Sequence, residues 1–101
     1  MKRQMEEKSE DIYIGSKEIS RYISAGIFGF NKGDKIKLIA RGKNVKRAID
    51  VLAILIRDYV EKPEYKIIVD SEKFEGRNIS TVEISISGKK KQKDIKSEEE
   101  N

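Results

Sequence analysis

The chain has 101 residues, 40% of them charged, with 22 Lys and Arg against 18 Asp and Glu and a formal net charge of +4. That length holds one domain and leaves no room for a second core. Cysteine and histidine are both absent, which excludes disulfides, thiolate chemistry, Cys- or His-based metal sites and any nucleophile activated by an imidazole. No cofactor is expected, and an enzyme is the least favoured class, because no carboxylate pair stands out for acid–base work.

Residues 11–91 hold 17 of the basic and 11 of the acidic residues, so the patterned part of the chain is more basic than the whole. A basic domain attracts polyanions. No apolar run approaches the roughly 20 residues that span a bilayer. Met1–Glu10 is too polar for a signal peptide. A cytoplasmic protein without membrane contact is therefore expected.

Residues 1–10 read as a disordered charged lead-in, 11–88 as the folded domain and 89–101 as a charged disordered tail. Ile12 and Ile14 alternate with Asp11 and Tyr13 as a short strand that Gly15 ends. Ser16 is placed to cap a first helix, on which Ile19, Tyr22, Ile23, Gly26, Ile27 and Phe30 fall on one face. Asn31-Lys32-Gly33 stops it with residues that tolerate left-handed backbone. Lys35–Arg41 alternates as a second strand, broken by Gly42. Asn44 is placed to cap a second helix carrying Val45, Ala48, Ile49, Leu52, Leu55, Ile56 and Tyr59. This wider stripe, nearly free of charge from Val51 to Ile56, points to a subunit interface, the alternative being a central core helix. Pro63 ends that helical region. Residues 65–70 alternate as a third strand, Ser71–Asn78 read as a hairpin tip, and residues 81–86 form a fourth strand. The order is β-α-β-α-β-β, an α/β chain of the two-layer α+β kind, with a four-stranded mixed sheet packed on two helices.

The segment Arg41-Gly42-Lys43-Asn44-Val45-Lys46-Arg47 carries the chemistry. It lies where a strand passes into a helix, and Gly42 permits close backbone approach. Helix-start amides lack partners and the dipole there favours an anion, so cations crowding that end make sense if phosphate completes the site. The bland alternative is pairing of Lys46 and Arg47 with Asp50 one turn on. The spacing is not that of a P-loop, so nucleotide hydrolysis is not expected. Lys17 at the start of the first helix, Arg77 and Asn78 beside Gly76, and the run Lys89–Lys91 are further candidates for contact. Tyr22 and Phe30 read as core. Tyr13 and Phe74 are the aromatics available for exposed contact. Phosphate contacts, rather than stacking of single strands, should dominate.

Three stretches together resemble the Alba family, small archaeal chromatin proteins with eukaryotic relatives in RNA-processing complexes. They are Ile12-Tyr13-Ile14-Gly15-Ser16-Lys17, then Ile39-Ala40-Arg41-Gly42-Lys43-Asn44 with Lys46-Arg47-Ala48-Ile49-Asp50, and Ile79-Ser80-Thr81-Val82-Glu83-Ile84. The resemblance implies a homodimer that sets its basic strand–helix corners side by side on double-stranded DNA or RNA, with hairpin arms along the minor groove. On that pattern Lys17, Arg41, Gly42, Lys43, Asn44, Lys46, Arg47, Arg77 and Asn78 belong to the binding face. Leu52, Leu55, Ile56 and Tyr59 belong to the dimer or dimer–dimer interface. A heterodimer with a paralogue and higher-order assembly on nucleic acid are further partners it implies, in a chromosome- or nucleoid-associated protein. Ser16 stands where many members carry an acetylatable lysine, and Ser71–Asn78 looks shorter than the longest arms. Both departures favour weaker or differently regulated binding. The alternatives are a subunit of an RNA-processing particle and, in a different class, a scaffold module that meets an acidic protein.

Overall fold

A computed structural model describes residues 9–91; most of the expected lead-in and tail lies outside the described residues. The elements are β1 (Glu10–Tyr13), α1 (Ile19–Lys32), β2 (Lys35–Arg41), α2 (Val45–Ile54), β3 (Val60–Phe74) and β4 (Arg77–Lys90). A 3-10 turn over Gly42–Asn44 leads into α2, and a π turn over Leu55–Tyr59 leads out of it. One mixed sheet runs in the order β1-β2-β4-β3. The neighbours β1 and β2 are parallel, with α1 as their crossover, and β4 is antiparallel to both β2 and β3. This is the expected two-layer α+β arrangement.

The alternation in β2 and β4 produces the core. Ile36, Leu38 and Ala40 occupy every second position of β2, as Val82, Ile84 and Ile86 do in β4, so all six turn to one face. All six are buried, with Leu38 set opposite Ile84 and Ile36 opposite Ile86. Onto this layer α1 lays Tyr22, Gly26, Gly29 and Phe30, and α2 lays Ala48, Val51 and Leu52, with Leu55 just beyond. Tyr22 and Phe30 are core, as the helical spacing predicts. Leu52 and Leu55 belong to this same core, at 5% and 0% exposure. The interface role expected of those two is therefore corrected, because their side chains are already covered within their own chain.

Several boundaries differ from the expectation. Helix α1 begins at Ile19, with Glu18 at the N-cap position and no side-chain cap. Ser16 falls three residues short, in a loop whose backbone is held in another way. The helix does stop at Lys32, but Gly33 is extended (φ −164°) and donates its N–H to Gly29 O, so no left-handed residue is needed. Asn44 precedes α2 without a side-chain cap, because the 3-10 turn already carries the backbone into helical geometry.

Strand β3 starts at Val60, well before Pro63. The proline is tolerated because β3 is an edge strand and the pairing slips there, between Glu61 and Glu64. Gly88 lies opposite that bulge, and a Cβ on it would meet Val60 Cγ1 at 2.7 Å. The hairpin tip is two residues, Glu75 and Gly76, not the eight of Ser71–Asn78. Both have positive φ (50° and 79°), as a type I′ turn requires, and Ser71–Phe74 pair with Arg77–Ser80 as a two-stranded arm. At the other end β4 takes in Gly88, Lys89 and Lys90, past the expected domain end.

Helix α1 approaches the sheet closely at Gly29, where an added Cβ would lie 2.7 Å from Ile36 Cγ2 and 3.2 Å from Glu10 Cβ. Alanine ordinarily stabilises a helix interior by about 1 kcal/mol over glycine. Here Gly29→Ala is expected to lower stability, because Ile36 is fully buried and has no room to yield. A higher urea midpoint for the variant would overturn this packing account.

Candidate nucleic-acid interface

The corner between β2 and α2 forms because Gly42 takes a left-handed conformation (φ +61°) that turns the chain directly from strand into helical geometry. The first turn of the helical run is thus Gly42–Asn44, and the unpartnered amides of a helix start fall there rather than at Lys46 and Arg47. Across from this turn stands the base of the hairpin arm. Gly42 and Lys43 together with Arg77, Asn78, Ile79 and Ser80 line an open groove of about 590 Å³. Four of the expected contact residues, distant in sequence, are brought together in this way.

The remaining cations divide by what holds them. Arg41, the last residue of β2, donates from Nη2 to Glu72 Oε1 at 3.0 Å and lies 5.9 Å from the centre of the Phe74 ring. Lys46 pairs with Asp50 at 3.2 Å, the helical i,i+4 contact weighed above as the bland alternative. Arg47 does not reach Asp50. Its Nε donates to Gly15 O at 2.8 Å, and Nη2 donates to Lys17 O. Its guanidinium is thus a brace between α2 and the loop after β1, in place of the Asp50 pairing weighed above. Lys17, Lys43 and Arg77 have no ion pair among the described residues.

The loop Gly15–Lys17 is organised from inside. The Tyr22 hydroxyl accepts the N–H of Gly15 at 2.9 Å and that of Lys17 at 3.0 Å. These amides are therefore committed and do not offer an anion cradle. The loop instead presents the exposed side chain of Lys17, with Tyr22 below it and Arg47 beside it. Sequence reasoning placed Tyr22 in the core and missed its hydroxyl, because nothing in helical spacing announces a bond that reaches back five and seven residues.

On the sheet face away from the helices, Tyr13, Ile39, Glu83 and Ile68 form one row across paired strands. Glu83 is neutralised by Lys37 at 2.8 Å, a contact that raises the lysine pKa through its hydrogen bond and charge. On the helix side, Tyr65, Ile67 and Val69 of β3 are uncovered, as are Ile49 and Tyr59, while Ile56 is partly buried. No charged residue among the described ones is buried, and no group of three carboxylates there could hold a metal.

These features define a class: a small two-layer α+β protein with a basic strand–helix corner facing a hairpin arm. The family model of Alba matches residues 10–69. Proteins named DNA/RNA-binding protein Alba from Thermoplasma volcanium and Thermoplasma acidophilum are each 33% identical over 82 residues, covering 75% of this chain and 92% of theirs. Alba 2 of Methanopyrus kandleri is 36% identical over 58 residues, covering 56% of this chain and 62% of its own. Among solved structures, Alba from Thermoplasma volcanium superposes with a TM-score of 0.59 at 30% identity, over 77% of this chain and 99% of that one. ALBA1 of Trypanosoma brucei shares the fold, with a TM-score of 0.70 at 18% identity over 92% of this chain and 80% of that one. The chain belongs to the Alba family. Its relatives are named as binding proteins rather than enzymes, as the lack of His and Cys had suggested.

Removing the Tyr22 hydroxyl leaves two backbone N–H groups without their acceptor, at about 1–3 kcal/mol for each that stays buried. Tyr22→Phe is therefore expected to lower the denaturation midpoint and to speed amide exchange at Gly15 and Lys17. Unchanged exchange at both amides would contradict the assignment.

Proposed function

We propose that this protein binds double-stranded DNA or RNA without catalysis, by backbone phosphates and with little sequence preference. As a homodimer in the cytoplasm, associated with the chromosome or nucleoid, it coats, compacts or bridges the duplex. The observation that carries this reading is the groove in which Gly42 and Lys43 face Arg77 and Asn78. It sets the uncommitted Lys43 and Arg77 on two facing walls, and the loop after β1 presents the exposed Lys17.

The ion pairs already at the corner do not oppose this. Arg41–Glu72 and Lys46–Asp50 are exposed, and such pairs are worth about 0–1 kcal/mol. Charge-assisted hydrogen bonds to a phosphate are worth about 1.5–3 kcal/mol each, so phosphate can take these cations from their carboxylates. The names of the relatives support the same class of ligand.

The dimer is supported by the uncovered helix-side row of β3. Tyr65, Ile67 and Val69 stand at 50%, 42% and 69% exposure on the same side as the core of the sheet. With Ile49, Ile56 and Tyr59 they offer the apolar surface that a second copy would bury. This moves the expected interface outward from Leu52 and Leu55 to the residues their own chain leaves open. Val69→Glu is expected to convert a dimer to a monomer by light scattering, and a variant that stays dimeric would exclude this row.

For the ligand, labelled DNA and RNA duplexes titrated at several salt concentrations give the test. Affinity should fall steeply with salt, by about 0.9 in log K per unit log salt for each phosphate neutralised. The double variant Arg41→Ala/Lys43→Ala should weaken binding to every sequence alike and reduce that slope by about 2. Wild-type affinity in the double variant would sink the corner as the binding site. Binding to neither duplex at physiological salt would favour a scaffold role instead.

A further inference from the structure

We infer that Phe74, with Arg41 over its ring and Arg77 opposite it on the arm, is a stacking platform for one unpaired nucleobase at the margin of the bound duplex. This rests on the duplex-binding reading above and adds to it a preference for interrupted helices.

Phe74 is the last residue of β3, on the two-stranded arm beyond the reach of β2. It is 50% exposed and is absent from the core cluster, so the core does not account for its place on the arm. Directly opposite Phe74 on the arm is Arg77, and side chains of directly paired residues share a face. Arg41 reaches across from β2 and lies over the ring, with its guanidinium carbon 5.9 Å from the ring centre, within cation–π range. Glu72 stands two residues before Phe74 on the same face of the strand. Its ion pair with Arg41 at 3.0 Å tethers that guanidinium beside the ring.

The result is a half-exposed aromatic ring with one guanidinium over it and a second cation opposite it, on a ribbon that also walls the basic groove. Arg77 is shared, since it lines the groove with Lys43 and Asn78. A base turned out of a duplex brings a π-face to the ring and a phosphate on each side of it. The ring offers the stack, and the two guanidinium groups beside it are donors for the adjoining phosphates. Stacking asks for no particular base, because every base has a π-face. In a continuous helix every base is already stacked and none is free for Phe74. The site therefore discriminates by structure of the nucleic acid, favouring bulges, loops and frayed ends, which are commoner in folded RNA than in chromosomal DNA.

The test uses the full chain, a blunt RNA duplex, and the same duplex with one unpaired adenosine bulged at its centre. Wild type should bind the bulged duplex at least about fivefold more tightly, as one base–aromatic stack allows. Phe74→Leu keeps apolar bulk but no π-face, and should bring the ratio of the two affinities to about one. Phe74→Tyr should keep the ratio. Blunt-duplex binding without a preference for the bulge, or a preference that survives in Phe74→Leu, would overturn the stacking site alone. Failure of the wild type to bind a blunt duplex of either RNA or DNA would instead overturn the duplex reading beneath it.

Discussion

The Tyr22 hydroxyl accepts the N–H groups of Gly15 and Lys17, while Arg47 donates to the carbonyls of the same two residues. Two side chains from two helices thereby satisfy all four polar backbone groups of those residues. The loop after β1, α1 and the start of α2 are tied into one body by this arrangement. Its energetic meaning lies in preorganisation. Fixing a residue's backbone costs about 1–2 kcal/mol of conformational entropy, and here folding meets that cost before any ligand arrives. Tyr22 can serve in this way only because its ring lies in the core and its oxygen reaches the surface. The corner is thus an outgrowth of the core packing.

Against that fixed body the cations have different freedoms. Arg47 spends its guanidinium on backbone, Arg41 and Lys46 are lightly held by exposed carboxylates, and Lys17, Lys43 and Arg77 have no ion pair among the described residues. The opposite sheet face is of another kind. Its central Glu83 is matched by Lys37, and its apolar row of Tyr13, Ile39 and Ile68 alternates with charge of both signs.

Much of this was legible in the sequence where a period announced it. The two-residue alternation of Ile36-Leu38-Ala40 and Val82-Ile84-Ile86 and the helical spacing from Ile19 to Phe30 correspond to elements that exist. Gly42 marked the corner, and the crowd of bases after it marked its charge. What was hidden depends on contacts between distant residues. The brace from Arg47 to Gly15 spans 32 positions and reads locally as one more basic residue. Ser71–Asn78 reads as a tip because it lacks apolar alternation, which a ribbon exposed on both faces does not need. Pro63 suggested a break, yet an edge strand with a bulge absorbs it. Leu52 and Leu55 could not be told from the outward residues of the same helix, since apolarity alone does not say which side the sheet lies on.

The long edge strand β3 carries the segment Tyr65-Lys66-Ile67-Ile68-Val69-Asp70, apolar at four of six positions and unpaired along its outer side. Segments of that make-up are the usual seeds of strand-to-strand aggregation. Its charges are not spread evenly: Lys66 and Asp70 interrupt one face, and the other is left wholly apolar. In an in-register cross-β stack each charge would lie over its own copy, so two charges on one face obstruct open-ended growth. They leave intact the face on which a single closed pairing is possible. The placement of Lys66 and Asp70 thus acts as a gatekeeper, separating the useful stickiness of this edge from the harmful kind.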